Sequence, residues 1–222
     1  MFFRVPHVSS LIIILLTYPS DIALSQKHIN FIMSRSFRTF LKHTAKDFHN
    51  HSVNPPVVRA STIIFKSMND IRRTQAKYKR DPRGGHFDYG RQGTSTTHIL
   101  QKILTKLEES YHVFLTPTGF GSVFLAIFSI VRPGDEIITA DPVYNPTRML
   151  TQDYLKEYGI KTTFYNPHDL NSIKKNITKK TKLIFVENPG SNTFEFQDLS
   201  KIISIAKKNK ILTAIDNTWA TP

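Results

Sequence analysis

From residue 97 to the end of the chain, two hydrophobic patterns alternate. Residues 97–110 place apolar side chains three and four positions apart, which predicts a helix with one buried face. Further along, short apolar runs bounded by turn residues predict buried strands, and the segments between them predict helices. The predicted strands are residues 113–115, 136–140, 161–165, 182–187 and 211–215, and the later helices are residues 120–131, 147–158, 169–177 and 198–210.

This alternation of strands and helices determines the predicted fold class. Short apolar strands joined by helical segments are typical of a parallel sheet that is covered by helices. Because the crossover connections place helices on both faces, the sheet would be doubly wound. Gly159 follows the third predicted helix and fits a helix stop, since glycine readily adopts the left-handed conformation. The sequence therefore predicts an α/β fold with a mostly parallel, doubly wound sheet over residues 97–222.

Residues 33–96 lack this alternation and predict an irregular N-terminal arm. The arm contains the rigid pair Pro55-Pro56, a loop-like segment at residues 79–88, and two extended pieces at residues 57–59 and 63–65. We expect residues 33–96 to be an N-terminal arm that makes contacts between subunits.

Residues 1–32 have two interpretations. The apolar run at residues 11–16 resembles a weak secretory signal, and it is too short to span a membrane. The alternative is a start codon placed too far upstream, with Met33 as the first residue. We prefer the second interpretation because Arg4 alone precedes the apolar run, and secretory signals begin with a more basic segment. Residues 1–32 are thus expected to be a dispensable or mis-started leader of a cytoplasmic protein.

Charge and cysteine content limit the function classes. The net charge of +13, from 30 Lys and Arg against 17 Asp and Glu, raises the question of a nucleic-acid or anionic-surface partner. No basic patch interleaved with aromatic residues accompanies the charge, so we predict neither a nucleic-acid partner nor a membrane partner. The chain has no cysteine, which excludes disulfides, thiolate metal sites and cysteine nucleophiles. No metal site is predicted.

The candidate chemistry lies in four loops that follow predicted strands, at residues 116–119, 141–146, 187–193 and 216–219. The carboxyl ends of parallel strands share one edge of the sheet, so these loops are expected to converge on one crevice. Gly119 opens a helix, and its amide and that of Phe120 could hold a phosphate. Tyr144 offers an aromatic face and Asp216 a buried anion. Together they suit a flat, phosphorylated ring with a basic nitrogen.

Each of these features also has an ordinary structural explanation. A lone tyrosine such as Tyr144 is commonly packed at a surface, and a glycine before a helix is widespread. Asp216, followed by Asn217 and Thr218, could form an Asx turn that ends a strand. The combination of the three features at one sheet edge is what favours a ligand site.

Six segments of the chain resemble the pyridoxal phosphate (PLP) enzymes of cysteine and methionine metabolism. In order along the chain they are HSVNPPVVRASTIIF (51–65), YGRQGTSTT (89–97), LTPTGFGS (115–122), DPVYNPTR (141–148), ENPGSNTFEFQD (187–198) and DNTWATP (216–222). Within the family, the PGSNTFEFQD form and the tryptophan of DNTWATP are similar to the β-lyase branch. The resemblance implies the large domain of the fold type I PLP transferases and covers about residues 45–222.

The resemblance also implies roles for individual residues. Tyr89 and Arg91 would bind the cofactor phosphate across a dimer interface, and Arg suits this role because its planar fork pairs two phosphate oxygens. The amides of Gly119 and Phe120 would bind the same phosphate. At the pyridine ring, Tyr144 would stack and help to move protons, and Asp216 would hold the ring nitrogen protonated. The other two implied site residues, which would contact Asp216 or the ring, are Ser191 and Thr218.

The activity implied by the β-lyase branch is the α,β-elimination of cystathionine to homocysteine, pyruvate and ammonia, in methionine synthesis. The close alternatives are a γ-synthase, a γ-lyase or a sulfhydrylase, and a more distant one is a non-catalytic remnant with an anion-binding surface. The resemblance implies a homo-oligomer, a dimer or tetramer with shared sites. It also places the cofactor-binding lysine and the substrate-carboxylate arginine beyond Pro222. We therefore expect residues 97–222 to be an incomplete large domain, and the chain alone to be inactive.

Overall fold

The computed structural model describes residues 54–220. The described residues fall into two compact units, residues 54–115 and residues 116–220, and each is described by itself. The predicted leader at residues 1–32, the first part of the arm and the last two residues lie outside the described part of the chain.

The unit of residues 54–115 contains more helix than the sequence predicts. Helix α1 spans Met68–Arg80 inside the arm that was predicted to be irregular. It begins at Ser67, whose hydroxyl accepts the Asp70 amide at 3.2 Å. None of its residues is buried and few of them are apolar, so α1 lacks the apolar stripe that predicts a helix packed on a core. The pieces at residues 57–59 and 63–65 are not strands of a sheet, and Thr62 forms an isolated bridge with Tyr89.

Helix α2 spans Ser95–Leu107, two residues earlier at its start than predicted and three residues shorter at its end. Its start is set by a capping box in which the Thr94 amide donates to the Thr97 hydroxyl at 2.8 Å. Its end is followed by Glu109 in the left-handed region, with φ of 45°, which stops the helical hydrogen bonds. The buried residues of α2 include Ile99 and Leu104.

The unit of residues 116–220 confirms the predicted parallel, doubly wound sheet. Four strands are ordered β2-β1-β3-β4, and every neighbouring pair is parallel. The elements are α3 (Gly119–Ile130), β1 (Glu136–Ala140), a helical segment α4 that begins with Asn145–Met149, β2 (Lys161–Tyr165), α5 (Leu170–Asn176), β3 (Thr181–Glu187), α6 (Leu199–Lys208) and β4 (Leu212–Asp216).

Alternating residues of the central strands build two hydrophobic cores, one on each face of the sheet. Successive side chains of a strand point to opposite faces, so neighbours such as Ile137 and Ile138 enter different cores. On one face, α3 and α4 pack through Val123, Ile127, Leu150 and Leu155 against Ile137, Leu183 and Phe185. On the other face, α5 and α6 pack through Ile173, Ile202 and Ile205 against Ile138, Ile184 and Val186.

The predicted strand at residues 113–115 is wrong, because these residues form no ladder in the described part of the chain. The Val113 carbonyl accepts instead from the Gln101 side chain of α2 at 2.9 Å. The loop at residues 116–119 therefore precedes α3 without following a strand. The last strand is also displaced by one residue from its predicted position, because the Ile211 amide donates to the Ala206 carbonyl at the end of α6.

The predicted helix at residues 147–158 is α4, which begins earlier and changes its winding midway. Asn145–Met149 is α-helical, Leu150–Tyr154 is a π turn and Leu155–Glu157 is α-helical again. The π turn coincides with Thr151, whose hydroxyl donates to the Thr147 carbonyl at 2.9 Å and whose carbonyl accepts from the Thr162 hydroxyl of β2 at 2.7 Å. Gly159 follows the segment with φ of 73°, as the predicted helix stop requires.

An apolar groove of about 620 Å³ lies between α3 and α4. Two aromatic pairs line it: the rings of Phe124 and Phe128 stack at 5.1 Å, and those of Tyr154 and Tyr158 are 5.9 Å apart. Within residues 54–220, every helix is too short or too polar to span a membrane.

The N-cap of α3 yields a stability prediction. The Thr118 hydroxyl accepts the Gly121 amide at 3.0 Å, and a Cβ on Gly121 would lie 2.9 Å from the same oxygen. We expect Thr118→Ala to lower the free energy of unfolding by about 1 kcal/mol, because the amide loses its acceptor. Thr118→Ser keeps the oxygen and should retain most of the stability. Urea unfolding of the two variants measures the difference, and equal losses in both would contradict the prediction.

Candidate functional site

Two carboxylates lie side by side at the carboxyl ends of β3 and β4. Glu187 and Asp216 are register partners, and each residue is only 5% exposed. Buried carboxylates are costly unless hydrogen bonds or a positive partner compensate for lost hydration. The hydrogen-bond partners of this buried pair therefore define the candidate site at this edge of the sheet.

Glu187 connects the loops that follow β1 and β3. Its Oε2 accepts the backbone amide of Tyr144 at 2.6 Å, and its Oε1 accepts the hydroxyl of Ser191 at 2.5 Å. Glu187 was not among the predicted site residues. The available signal was a charged residue at the end of the apolar run of residues 183–186, which is unusual for a buried strand.

A second buried network holds the loop after β3. The Gln197 side chain donates to the Glu187 carbonyl at 2.9 Å and accepts the Tyr165 hydroxyl at 2.5 Å. The backbone amide of Gln197 donates to the Oδ1 atom of Asn188 at 2.7 Å. Burial raises the pKa of Tyr165 well above its usual value, so this phenol remains a hydrogen-bond donor. The base of the loop is thus fixed to both β2 and β3.

Asp216 uses one of its two carboxylate oxygens. Oδ1 accepts the Thr218 amide at 3.1 Å and the Thr218 hydroxyl at 2.6 Å. Oδ2 has no hydrogen-bond donor among residues 54–220. The Asx turn considered from the sequence is therefore present, but it accounts for Oδ1 alone. The second oxygen of this buried residue is available to a donor on a ligand.

Aromatic side chains lie in the loops around the carboxylates. Tyr144 is the N-cap residue of α4, and it is 44% exposed. Trp219 is three residues beyond Asp216, is 67% exposed and packs edge-on against Phe194 with ring centroids 5.3 Å apart. These exposed rings are available for stacking by a flat ligand.

The N-terminus of α3 carries the predicted phosphate donors Gly119 and Phe120. The first amides of a helix have no intrahelical acceptor, and the dipole of a helix favours an anion at this end. Thr118 caps the amide of Gly121, which leaves the amides of Gly119 and Phe120 as the available donors of the first turn. The Phe120 side chain lines the apolar groove, so only its backbone is involved here.

Tyr89 and Arg91 belong to the other unit, the one of residues 54–115. The turn between them requires glycine, because a Cβ on Gly90 would lie 1.8 Å from the carbonyl oxygen of Ala60. The Gly90 amide donates to the Ser61 carbonyl at 2.7 Å, and the Arg91 guanidinium lies 5.5 Å from the Tyr89 ring centroid. This backbone packing holds the two side chains next to each other.

Within residues 116–220, the structure joins four of the predicted site residues through Glu187 and the pairing of β3 with β4. These four residues are Tyr144, Ser191, Asp216 and Thr218. The loops that follow the four strands, at residues 141–144, 166–169, 188–198 and 217–220, contain no lysine. In the described part of the chain, no cluster of His, Asp and Glu could hold a metal ion.

Burial is the main cause that raises the pKa of Glu187 above its ordinary value of 4.5, and the charge of Asp216 adds to it. The hydrogen bonds from Ser191 and Tyr144 oppose the shift and are outweighed. The folded chain therefore keeps this proton to a higher pH than the unfolded chain does.

This pKa shift predicts how stability depends on pH. Between pH 4.5 and the raised pKa, the folded state binds more protons than the unfolded state, so the contribution of Glu187 falls as pH rises. Glu187→Gln removes this titration, so the variant should gain stability relative to the wild type as pH rises through that window. Urea unfolding across the pH range tests this. A difference that is constant with pH would contradict the prediction.

Comparison with known proteins identifies the family to which the chain belongs. The model of the family described as Cys/Met metabolism PLP-dependent enzyme matches residues 39–222. A Saccharomyces cerevisiae protein, provisionally named a cystathionine beta-lyase, is 40% identical over 170 residues, which cover 77% of this chain and 47% of that protein. The cystathionine beta-lyase of Haemophilus influenzae is 35% identical over 178 residues, which cover 79% of this chain and 44% of that protein.

A solved structure supports the same fold type. It is provisionally identified as the O-acetylhomoserine (thiol)-lyase of Campylobacter jejuni, and it contains a pyridoxyl-lysine monophosphate. The TM-score is 0.73 at 28% identity, and the match covers 84% of this chain and 45% of that one. The present chain spans about half the length of the relatives it matches.

Proposed function

Because the chain belongs to the Cys/Met metabolism PLP-dependent enzymes, we propose that it provides the ring-binding and phosphate-binding parts of a carbon-sulfur lyase acting on cystathionine. One observation carries the proposal: the buried Asp216, at the carboxyl end of β4, has a carboxylate oxygen that no donor among residues 54–220 occupies. The identity to relatives named cystathionine beta-lyase supports the choice of substrate.

The residues present fit pyridoxal phosphate at its ring nitrogen. Oδ2 of Asp216 can accept an N–H, and this hydrogen bond would be charge-assisted because its acceptor is a carboxylate. Thr218 holds Oδ1 through two hydrogen bonds and thereby sets the orientation of the carboxylate. When bound, the cofactor supplies an electron sink for negative charge that develops at the Cα atom of a substrate amino acid.

The ring faces and the phosphate have separate binding residues. Tyr144 offers an exposed ring for stacking, and the Ser191 hydroxyl lies in the neighbouring loop. The amides of Gly119 and Phe120 would donate to the phosphate at the N-terminus of α3. Tyr89 and Arg91 of a second copy would complete the phosphate site, which makes a homo-oligomer part of the proposal.

Proton transfer at Cα needs a base, and the described site contains no lysine in the loops that follow the strands. Tyr144 would stack on the ring and help to move protons. We therefore propose that the 222 residues bind the cofactor without covalent attachment and do not turn over cystathionine by themselves.

The substrate is tested with protein expressed from the whole gene locus, so that every encoded residue is present. With pyridoxal phosphate added, we expect cystathionine to yield pyruvate and homocysteine in equal amounts. An Asp216→Asn variant of the same protein should lose most of this activity. Pyruvate release from the 222 residues alone, at the rate of the locus-encoded protein, would contradict the proposal that they do not turn over cystathionine by themselves.

A sulfhydrylase is the second candidate, favoured by the structural match to a protein identified as an O-acetylhomoserine (thiol)-lyase. Substrate competition separates the two functions. Preferred use of O-acetylhomoserine with sulfide would overturn the β-lyase proposal and retain the cofactor site. Absence of cofactor binding would overturn both and favour a non-catalytic remnant.

A further inference from the structure

Glu187 forms hydrogen bonds with both loops at the proposed cofactor ring. Its two carboxylate oxygens are divided between the Tyr144 amide at 2.6 Å and the Ser191 hydroxyl at 2.5 Å. The two loops follow different strands, and Tyr144 is 43 residues away from Glu187 along the chain. Because both bonds involve the same carboxylate, one side chain links the backbone of Tyr144 to the side chain of Ser191.

Through the Tyr144 amide, Glu187 can affect the direction of the Tyr144 ring. Tyr144 is the N-cap residue of α4, and its backbone has φ of −45° and ψ of 129°, outside the helical region. The direction of its ring is set by this backbone together with χ1, so a shift at the amide moves the ring. An unpaired buried amide also carries a desolvation cost that the backbone would relieve by moving.

We propose that Glu187 is the positioning residue of the cofactor ring, acting through the Tyr144 amide and the Ser191 hydroxyl rather than by contact with the cofactor. The inference rests on the proposed cofactor site and deepens it. What matters is the reach of the side chain and its two hydrogen-bonding atoms. Asp216 beside it provides the negative charge that the ring nitrogen requires, so Glu187 need not provide a second one.

Three substitutions of Glu187 distinguish the effects of its side-chain length, its charge and its hydrogen bonds. Glu187→Gln keeps the length, accepts from the Tyr144 amide through its oxygen and donates to Ser191 through its nitrogen. Glu187→Asp keeps the charge and shortens the reach by one methylene. Glu187→Met keeps the length and bonds to neither loop. If the Met variant does not fold, the Asp variant is used in its place, because its shorter side chain also fails to connect the two loops.

The probe is pyridoxal phosphate titrated into the full 222-residue chain. Trp219 is the chain's only tryptophan and lies three residues from Asp216, so its fluorescence reports binding. Circular dichroism induced in the cofactor's absorption band reports whether the ring is held in one orientation. We expect the Gln variant to stay within about twofold of the wild-type affinity and to keep the induced signal. The Asp and Met variants should bind about 5- to 20-fold more weakly and lose it.

Glu136 provides a matched control at the opposite end of the sheet. Its Oε2 accepts the Thr178 hydroxyl at 2.6 Å, so it also bridges two segments, but at the start of β1. Glu136→Gln and Glu136→Met should leave cofactor affinity and the induced signal unchanged, whatever their effect on unfolding. A loss of the induced signal in Glu136→Met equal to that in Glu187→Met would show a general stability effect and overturn the proposal.

Amide hydrogen exchange makes the inference and the proposed function separable. The Tyr144 amide should be protected in the wild-type chain and in Glu187→Gln, and exposed to exchange in Glu187→Met, with no cofactor present. A Met variant that keeps cofactor affinity and the induced signal would overturn the positioning role. So would a Gln variant as weak as Met, because charge and not bridging would then matter. Protection of the amide in a wild-type chain that binds no pyridoxal phosphate would overturn the proposed function and, with it, the role of the bridge.

Discussion

Replacing Asp216 with asparagine is expected to weaken pyridoxal phosphate binding about 10- to 100-fold, the range set by hydrogen bonds to charged groups. Thr218 would hold the amide oxygen of the variant, as it holds Oδ1 in the wild type. The amide nitrogen would then face the protonated ring nitrogen, and two donors would oppose each other. Because the residue is only 5% exposed, little water is available to relieve this mismatch. Quenching of Trp219 fluorescence during a cofactor titration measures the loss.

Asp141→Asn is the control for the Asp216 substitution. Asp141 follows β1 at the same edge of the sheet, has a side chain that is 64% exposed and forms an ion pair with Arg148. The same change of charge at this exposed position should leave the affinity within about twofold, since an exposed ion pair contributes little. If Asp216→Asn binds the cofactor as tightly as Asp141→Asn does, Asp216 does not contact the ring nitrogen.

Phe185→Ala is expected to have the largest effect on stability, a loss of about 3–5 kcal/mol in the free energy of unfolding. Phe185 lies in β3, the strand between β1 and β4, and its side chain is fully buried in the core under α3 and α4. Removing the ring leaves a cavity that the paired backbone of three strands cannot collapse to fill.

Phe196 is the matched control for the Phe185 substitution because it is 77% exposed. Phe196→Ala should change the free energy of unfolding by no more than about 0.5 kcal/mol, as is usual for exposed positions. Both variants are measured by urea unfolding at constant pH. Equal losses in the two variants would show that the core is less tightly packed than the structure indicates.

Elements whose signals are local could be predicted from the sequence. Strands β1 and β2 have the predicted bounds, because each is a short run flanked by turn residues such as Gly134 and Gly159. The burial of Asp216 also follows from its position after the apolar run of residues 211–215. Helix α1 could not be found in this way, since it has no buried face, although Ser67 and Asp70 together are a typical helix start.

Features that depend on distant partners could not be predicted in the same way. Whether residues 113–115 form a strand depends on a neighbouring strand, and none pairs with them among residues 54–220. The role of Glu187 depends on the amide of Tyr144, and no pattern within either segment encodes that contact. The site was therefore predicted as a set of loops at one sheet edge, without the residue that connects two of them.

The strand order β2-β1-β3-β4 has a consequence for synthesis on the ribosome. After β2 has paired with β1, β3 joins the free edge of β1, and β4 then joins the free edge of β3. From β2 onward, each strand therefore has a partner already in place when it leaves the exit tunnel, at about 5–20 residues per second. No strand has to enter between two others that are already paired. The described sheet can be assembled in the order of translation, because each new strand is added at one of its edges.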